Sequence, residues 1–191
     1  MLLAELQSLN VSFTQVLYVA LASLLVGLVV AAVGVFTTRR QIHPGPSRHW
    51  ISRWLYGLYL ILIVVLAVTG LGSILRWGHM QGYTLLLHLA AAGGFVFLMV
   101  AIAVLYLPAT APSADDPLQR VDRWWLVRWS AWMLVVSSLV AVATMLVSML
   151  PVLDTTGLLQ MAMLHRYAGL AVVVSAGAHL FSLSCVRLGW R

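Results

Sequence analysis

Residues 158–185 read LLQMAMLHRYAGLAVVVSAGAHLFSLSC, and this stretch decides the fold. It carries one charge, Arg166, and two histidines, His165 and His179, in an apolar background. A bilayer core asks for roughly 20 consecutive apolar residues of helix, because a helix satisfies its own backbone hydrogen bonds without water. Leu158–Cys185 meets that length, and so do Val11–Thr37, Ile51–Leu75, Gly82–Leu107 and Leu126–Leu150. Pro108 and Pro151, which lack the N–H that continues a helix, stop the third and fourth stretches. The breaker run His43-Pro44-Gly45-Pro46-Ser47 precedes the second. The expected fold is an all-α integral membrane protein with five transmembrane helices.

Composition agrees. Of 191 residues, 62% are hydrophobic and 8% are charged, where a soluble domain carries about 25% charged residues. A soluble globular fold, a disordered chain and a nucleic-acid-binding module are excluded. The single cysteine, Cys185, rules out an internal disulfide, a thiolate iron–sulfur cluster and a CxxCH haem attachment.

All 11 basic residues are arginines. Nine of the 11 (Arg39, Arg40, Arg48, Arg53, Arg120, Arg123, Arg128, Arg187 and Arg191) lie beside the 38–50 and 108–125 loops and the C-terminus. Only Arg76 and Arg166 lie toward the other side. The positive-inside rule then places the N-terminus outside and the C-terminus in the cytoplasm of a bacterial inner membrane. Trp50, Trp54, Trp124, Trp125, Trp129 and Trp190 crowd the same inner interface, as an aromatic belt does. The first span is too long for a cleavable signal and its arginines follow it, so it reads as an anchor. The chain divides into residues 1–46, an extra helix with a basic loop, and residues 47–191, a four-helix bundle. The 108–125 loop is too short to form a domain.

Ionisable residues inside a membrane are expensive and commonly functional. Three of the six histidines, His88, His165 and His179, are embedded in apolar stretches. The fourteen residues from His165 to His179 turn a helix through about 1400°, roughly 40° short of four full turns, and rise about 21 Å. Both imidazoles therefore share one face, at two depths. That offset suits two porphyrins hung on one helix, and the stripe between them, Gly169, Val172 and Ala176, is free of bulk. His88 enters its span at nearly the depth of His165 and is its expected partner. His49, in the first turn of the second span, is the expected partner of His179, with His43 as the fallback. The expected metal ligands are His49, His88, His165 and His179. Arg48 and Arg166, each adjacent to a ligand, are expected to meet haem propionates, which are anionic. A histidine that only hydrogen-bonds between helices, or an arginine that only snorkels to phosphate, is the plainer alternative at each position.

Arg48-His49-Trp50 opening one span, Leu87-His88 in the next, a histidine-free span, then Leu164-His165 and His179 resemble the di-haem cytochrome b subunits of the prokaryotic b561-like group. That group includes the gamma subunit of membrane-bound formate dehydrogenase and the cytochrome b subunit of nickel–iron hydrogenase. The resemblance covers residues 47–186 and rests on ligand spacing. It implies two haem b groups, one on His49/His179 at the cytoplasmic side and one on His88/His165 at the periplasmic side. It also implies a membrane subunit of a multisubunit complex, passing electrons between an extracytoplasmic redox subunit or cytochrome and the quinone pool. Substrate chemistry would then belong to another subunit. Quinone binds near the inner haem in that group, where an Asn-Gly segment contributes. Here the corresponding loop offers Gln119, Asp122 and Arg123 instead. The extra first helix departs from the group and is expected to dock a partner subunit or neighbouring protomer.

Other classes use the same residues differently. A histidine-lined proton or ion transporter lacks acidic partners here, because the five stretches contain no Asp or Glu. A haem-free structural anchor needs no depth-matched histidines, and a ferric reductase changes only the terminal acceptor.

Overall fold

The computed structural model describes residues 12–37, 50–106 and 117–188. The expectations placed on Arg48, His49 and His43 lie outside the described residues. Five helices account for nearly all of the rest: α1 (Phe13–Thr37), α2 (Trp50–Trp77), α3 (Gly82–Tyr106), α4 (Pro117–Ser148) and α5 (Thr155–Leu188). All five are long and apolar enough to cross a membrane, and the described residues contain no strand.

Local chemistry sets the helix ends. Ser12 and Gln15 form a reciprocal capping box at α1. The Gln15 N–H donates to Ser12 Oγ at 3.3 Å, and the Ser12 N–H donates to Gln15 Oε1 at 2.9 Å. Helix α2 closes on Gly78, whose φ of 76° a residue with Cβ rarely adopts, with its N–H donating to the Ile74 carbonyl at 3.0 Å. Asp154 caps α5 by accepting from the Gly157 N–H at 2.7 Å, and a carboxylate there also suits the positive end of the helix dipole.

Two boundaries depart from the sequence reading. Helix α4 ends at Ser148, and the turn to Pro151 begins there. At its other end α4 reaches back to Pro117, so Gln119, Asp122 and Arg123 stand on helical turns and not in a loop. Proline is favoured at the first helical position, and Leu118–Trp125 contains no glycine or proline to interrupt the helix. Charge alone sets this segment apart from the span that follows.

The helices form two antiparallel hairpins, α2–α3 and α4–α5, with the second packed most extensively. Helix α2 also touches α5, and α3 touches α4, much more sparsely. The four helices thus close a ring in which the hairpins are the tight units and the seam between them is loose. The core at the seam is built from Tyr59, Ile63, Phe95, Met99, Leu134, Ala168, Val172 and Ala176. Helix α1 lies outside the ring, against α5. Leu17 is fully buried against Leu71 and Leu170, and Phe13 meets Tyr167 edge-on at 5.0 Å. Gly177 lets α1 come close, since a Cβ there would collide with Leu24. The extra helix therefore has a docking site on its own chain.

Most of the remaining surface is apolar, and Val26, Val64, Val68, Phe97 and Val104 are all more than half exposed. A protein in water could not expose this many large side chains, whereas lipid is their natural neighbour. Trp50, Trp54, Trp125 and Trp129 stand exposed at one end of the ring, where Arg53 and Arg128 are exposed too.

Candidate functional site

The three intramembrane histidines share a device that the sequence reading did not find. Each imidazole has its Nδ1 beside a hydroxyl on the other helix of its own hairpin. His88 on α3 meets Thr69 Oγ1 on α2 at 2.9 Å. His165 on α5 meets Thr144 Oγ1 on α4 at 3.2 Å. His179 on α5 meets Ser130 Oγ on α4 at 3.0 Å.

The direction of these bonds follows from counting protons. A hydroxyl has one O–H to give. Thr69 Oγ1 donates its proton to the Val65 carbonyl at 2.7 Å, Thr144 Oγ1 to Ala141 at 2.9 Å, and Ser130 Oγ to Val127 at 3.0 Å. With that proton committed to the helix backbone, each oxygen offers lone pairs to the ring, and the imidazole is the donor. At His165 the Ala141 carbonyl, which can only accept, also lies 3.0 Å from Nδ1. A proton on Nδ1 satisfies that carbonyl. Such hydrogen bonding at one ring nitrogen sets the tautomer and orients the other nitrogen as a metal ligand.

Glycine helps to seat one of these rings. A Cβ at Gly70 would stand 3.1 Å from His88 Cε1, so the imidazole lies almost against the α2 backbone. His88 on α3 and His165 on α5 stand on opposite corners of the ring of helices. The rings of His88, His165 and His179 are only half-buried although their Nδ1 atoms are engaged. His179 has Tyr56 at its edge, with ring centroids 6.2 Å apart.

Between the two histidine levels lies an aromatic layer. Tyr59 stacks on Phe95 with centroids 5.3 Å apart and planes 10° from parallel, and the Tyr59 hydroxyl shares a hydrogen bond of 3.2 Å with Ser138. The expected smooth stripe on α5 divides here. Val172 and Ala176 are buried in this layer, while a Cβ at Gly169 would meet nothing within 4 Å.

The other candidates fall outside the cluster. Arg166 is half-buried beside His165 on α5. His79 is exposed in the α2–α3 turn, 3.3 Å from Gln81 Oε1. The signal that sequence reading missed was the depth match of Thr69, Thr144 and Ser130 to the histidines across each hairpin.

Among the described residues no three His, Cys, Asp or Glu side chains converge to hold a bare metal ion. A haem asks for less, because the porphyrin supplies four nitrogens and the protein only axial ligands. Imidazoles held through Nδ1, which leaves ligation to the other ring nitrogen, fit that demand. The chain matches no protein-family model, no curated protein and no solved structure.

Proposed function

We propose that this chain is a membrane-embedded di-haem b-type cytochrome subunit. In this reading it carries electrons between an extracytoplasmic redox partner and quinone. His88 and His165 would hold one haem through Nε2, and His179 would hold the other together with His49. Bis-histidine haem iron exchanges single electrons with little change in its ligands, and that is the chemistry the group supplies when bound.

The chain's own residues do the rest. Thr69, Thr144 and Ser130 hold the imidazoles in one tautomer and one orientation, so a change of charge nearby demands little rearrangement. The apolar layer of Tyr59, Phe95, Val172 and Ala176 excludes water between the two levels. Burial of this kind raises the cost of every extra charge and so tunes a redox potential. The arginine and tryptophan distribution supports a cytoplasmic location for the Trp50 end of α2.

The observation that carries the reading is the threefold repetition of an imidazole whose Nδ1 is held by a hydroxyl on the facing helix of its hairpin. A haem-free anchor is the second reading, and one feature favours it: each imidazole–hydroxyl bond joins the two helices of one hairpin, as polar glue in a membrane does. An optical spectrum separates them. Dithionite-reduced protein purified from its native membrane should show a b-type alpha band, which weakens when His88 or His165 is replaced by alanine. A featureless spectrum from folded protein leaves only the anchor.

A further inference from the structure

Ser73 is the polar group that nothing above explains. It is 1% exposed, and its Oγ has no hydrogen-bond partner. Ser23, Thr37, Thr69, Ser148, Ser182 and Ser184 all return their proton to a carbonyl four residues back on their own helix. Ser73 does not. A buried hydroxyl left unmade costs about 1 to 3 kcal/mol, so the position calls for a partner that binds there.

The helix geometry shows where that partner sits. With 3.6 residues per turn, Ser73 lies about 40° around α2 from Thr69 and about 6 Å further along the axis. Gly70 lies about 100° from Thr69, so Ser73 falls between the two residues on which His88 rests. Arg76 lies about 20° to the other side of Thr69 and about 10 Å along. Its guanidinium rests on the Trp77 ring, 5.3 Å from the centroid, at the exposed end of the helix. One face of α2 thus presents, in order, the hydroxyl that holds His88, a hydroxyl with an unspent proton, and a cation at the membrane surface. A spare O–H below a cation selects an anion, and the span offers no carboxylate of its own.

We infer that Ser73, with Arg76 above it, receives an ionised carboxylate of the group held between His88 and His165. On the di-haem reading, on which this rests, that carboxylate is a haem propionate. Ser73 is then a positioning residue: it fixes the porphyrin's rotation about its axial ligands and neutralises part of the propionate charge.

The test compares haem b with an iron porphyrin whose propionates are replaced by alkyl groups, each titrated into haem-depleted full-length protein and followed optically. Ser73→Ala should weaken uptake of haem b at the His88 level about tenfold and leave uptake of the alkyl porphyrin unchanged. It should also make the midpoint potential of that haem more negative, because an unshielded propionate favours ferric iron. Ser73→Thr, which restores the hydroxyl, should recover both, and Arg76→Gln should reproduce the potential shift more weakly. Equal losses for the two porphyrins, or no change in either, overturn the inference. Wild-type protein that takes up neither porphyrin overturns the di-haem reading beneath it instead.

Discussion

Replacing Thr69 by valine removes a hydroxyl and keeps the shape of the side chain. The structure makes the consequence calculable, because Thr69 Oγ1 lies 2.9 Å from His88 Nδ1, closer to hydrogen-bond geometry than the nearby Leu66 backbone. Without it a half-buried N–H loses its bond, at a cost of about 1 to 3 kcal/mol. Half-burial argues for the lower part of that range, about 1 to 2 kcal/mol, or roughly 5- to 30-fold in affinity for whatever His88 ligates. This agrees with the loss of about 10- to 100-fold usual for a residue that orients a metal ligand. Thr144→Val is the internal comparison. His165 keeps the Ala141 carbonyl at 3.0 Å when Thr144 Oγ1 is removed, so its loss should be a few-fold at most. Haem b titrated into haem-depleted protein, read at the Soret band, gives both constants. Should Thr144→Val cost as much as Thr69→Val, or should Thr69→Val cost less than twofold, the reasoning about ring tautomers is refuted.

Four further outcomes follow from the packing. Gly70→Ala places a methyl 3.1 Å from His88 Cε1 and should shift the spectrum of the haem on His88. Gly93→Ala, where the methyl meets nothing within 4 Å, should be silent by the same spectrum. Gly177→Ala drives a methyl into Leu24 and should lower the thermal midpoint in detergent, with Leu24→Ala restoring part of the loss. Tyr59→Phe keeps the stack on Phe95 but removes the bond to Ser138; denaturation should register a cost of about 0.5 to 1.5 kcal/mol, with both haems retained.

The five spans were legible because membrane insertion depends on length and charge, both of which a sequence displays directly. The shared face of His165 and His179 was legible for a similar reason: helix periodicity is fixed, and both lie on α5. The hydroxyl partners were hidden because a serine or threonine in an apolar helix ordinarily bonds only to its own backbone. Thr69, Thr144 and Ser130 do that and still accept from a ring on the next helix. Seeing the second role requires the register of two helices across a turn. The same holds for Tyr59, Phe95 and Ser138, which come from three helices to form one layer. The helical start of α4 was misread as loop because its charges outweighed its helix-forming residues in a reading aimed at apolar runs. The close approach of α1 to α5 depends in part on Gly177, whose role shows only when Leu24 is seen above it.

The most direct test of the central claim is a count of haem per chain by the pyridine haemochrome method, on protein purified from its native membrane. The account expects about two b-type haems per chain, about one after His88→Ala, and about none after His165→Ala and His179→Ala are combined. Fewer than one haem in the wild-type chain, or an unchanged count in the doubly substituted one, would contradict it.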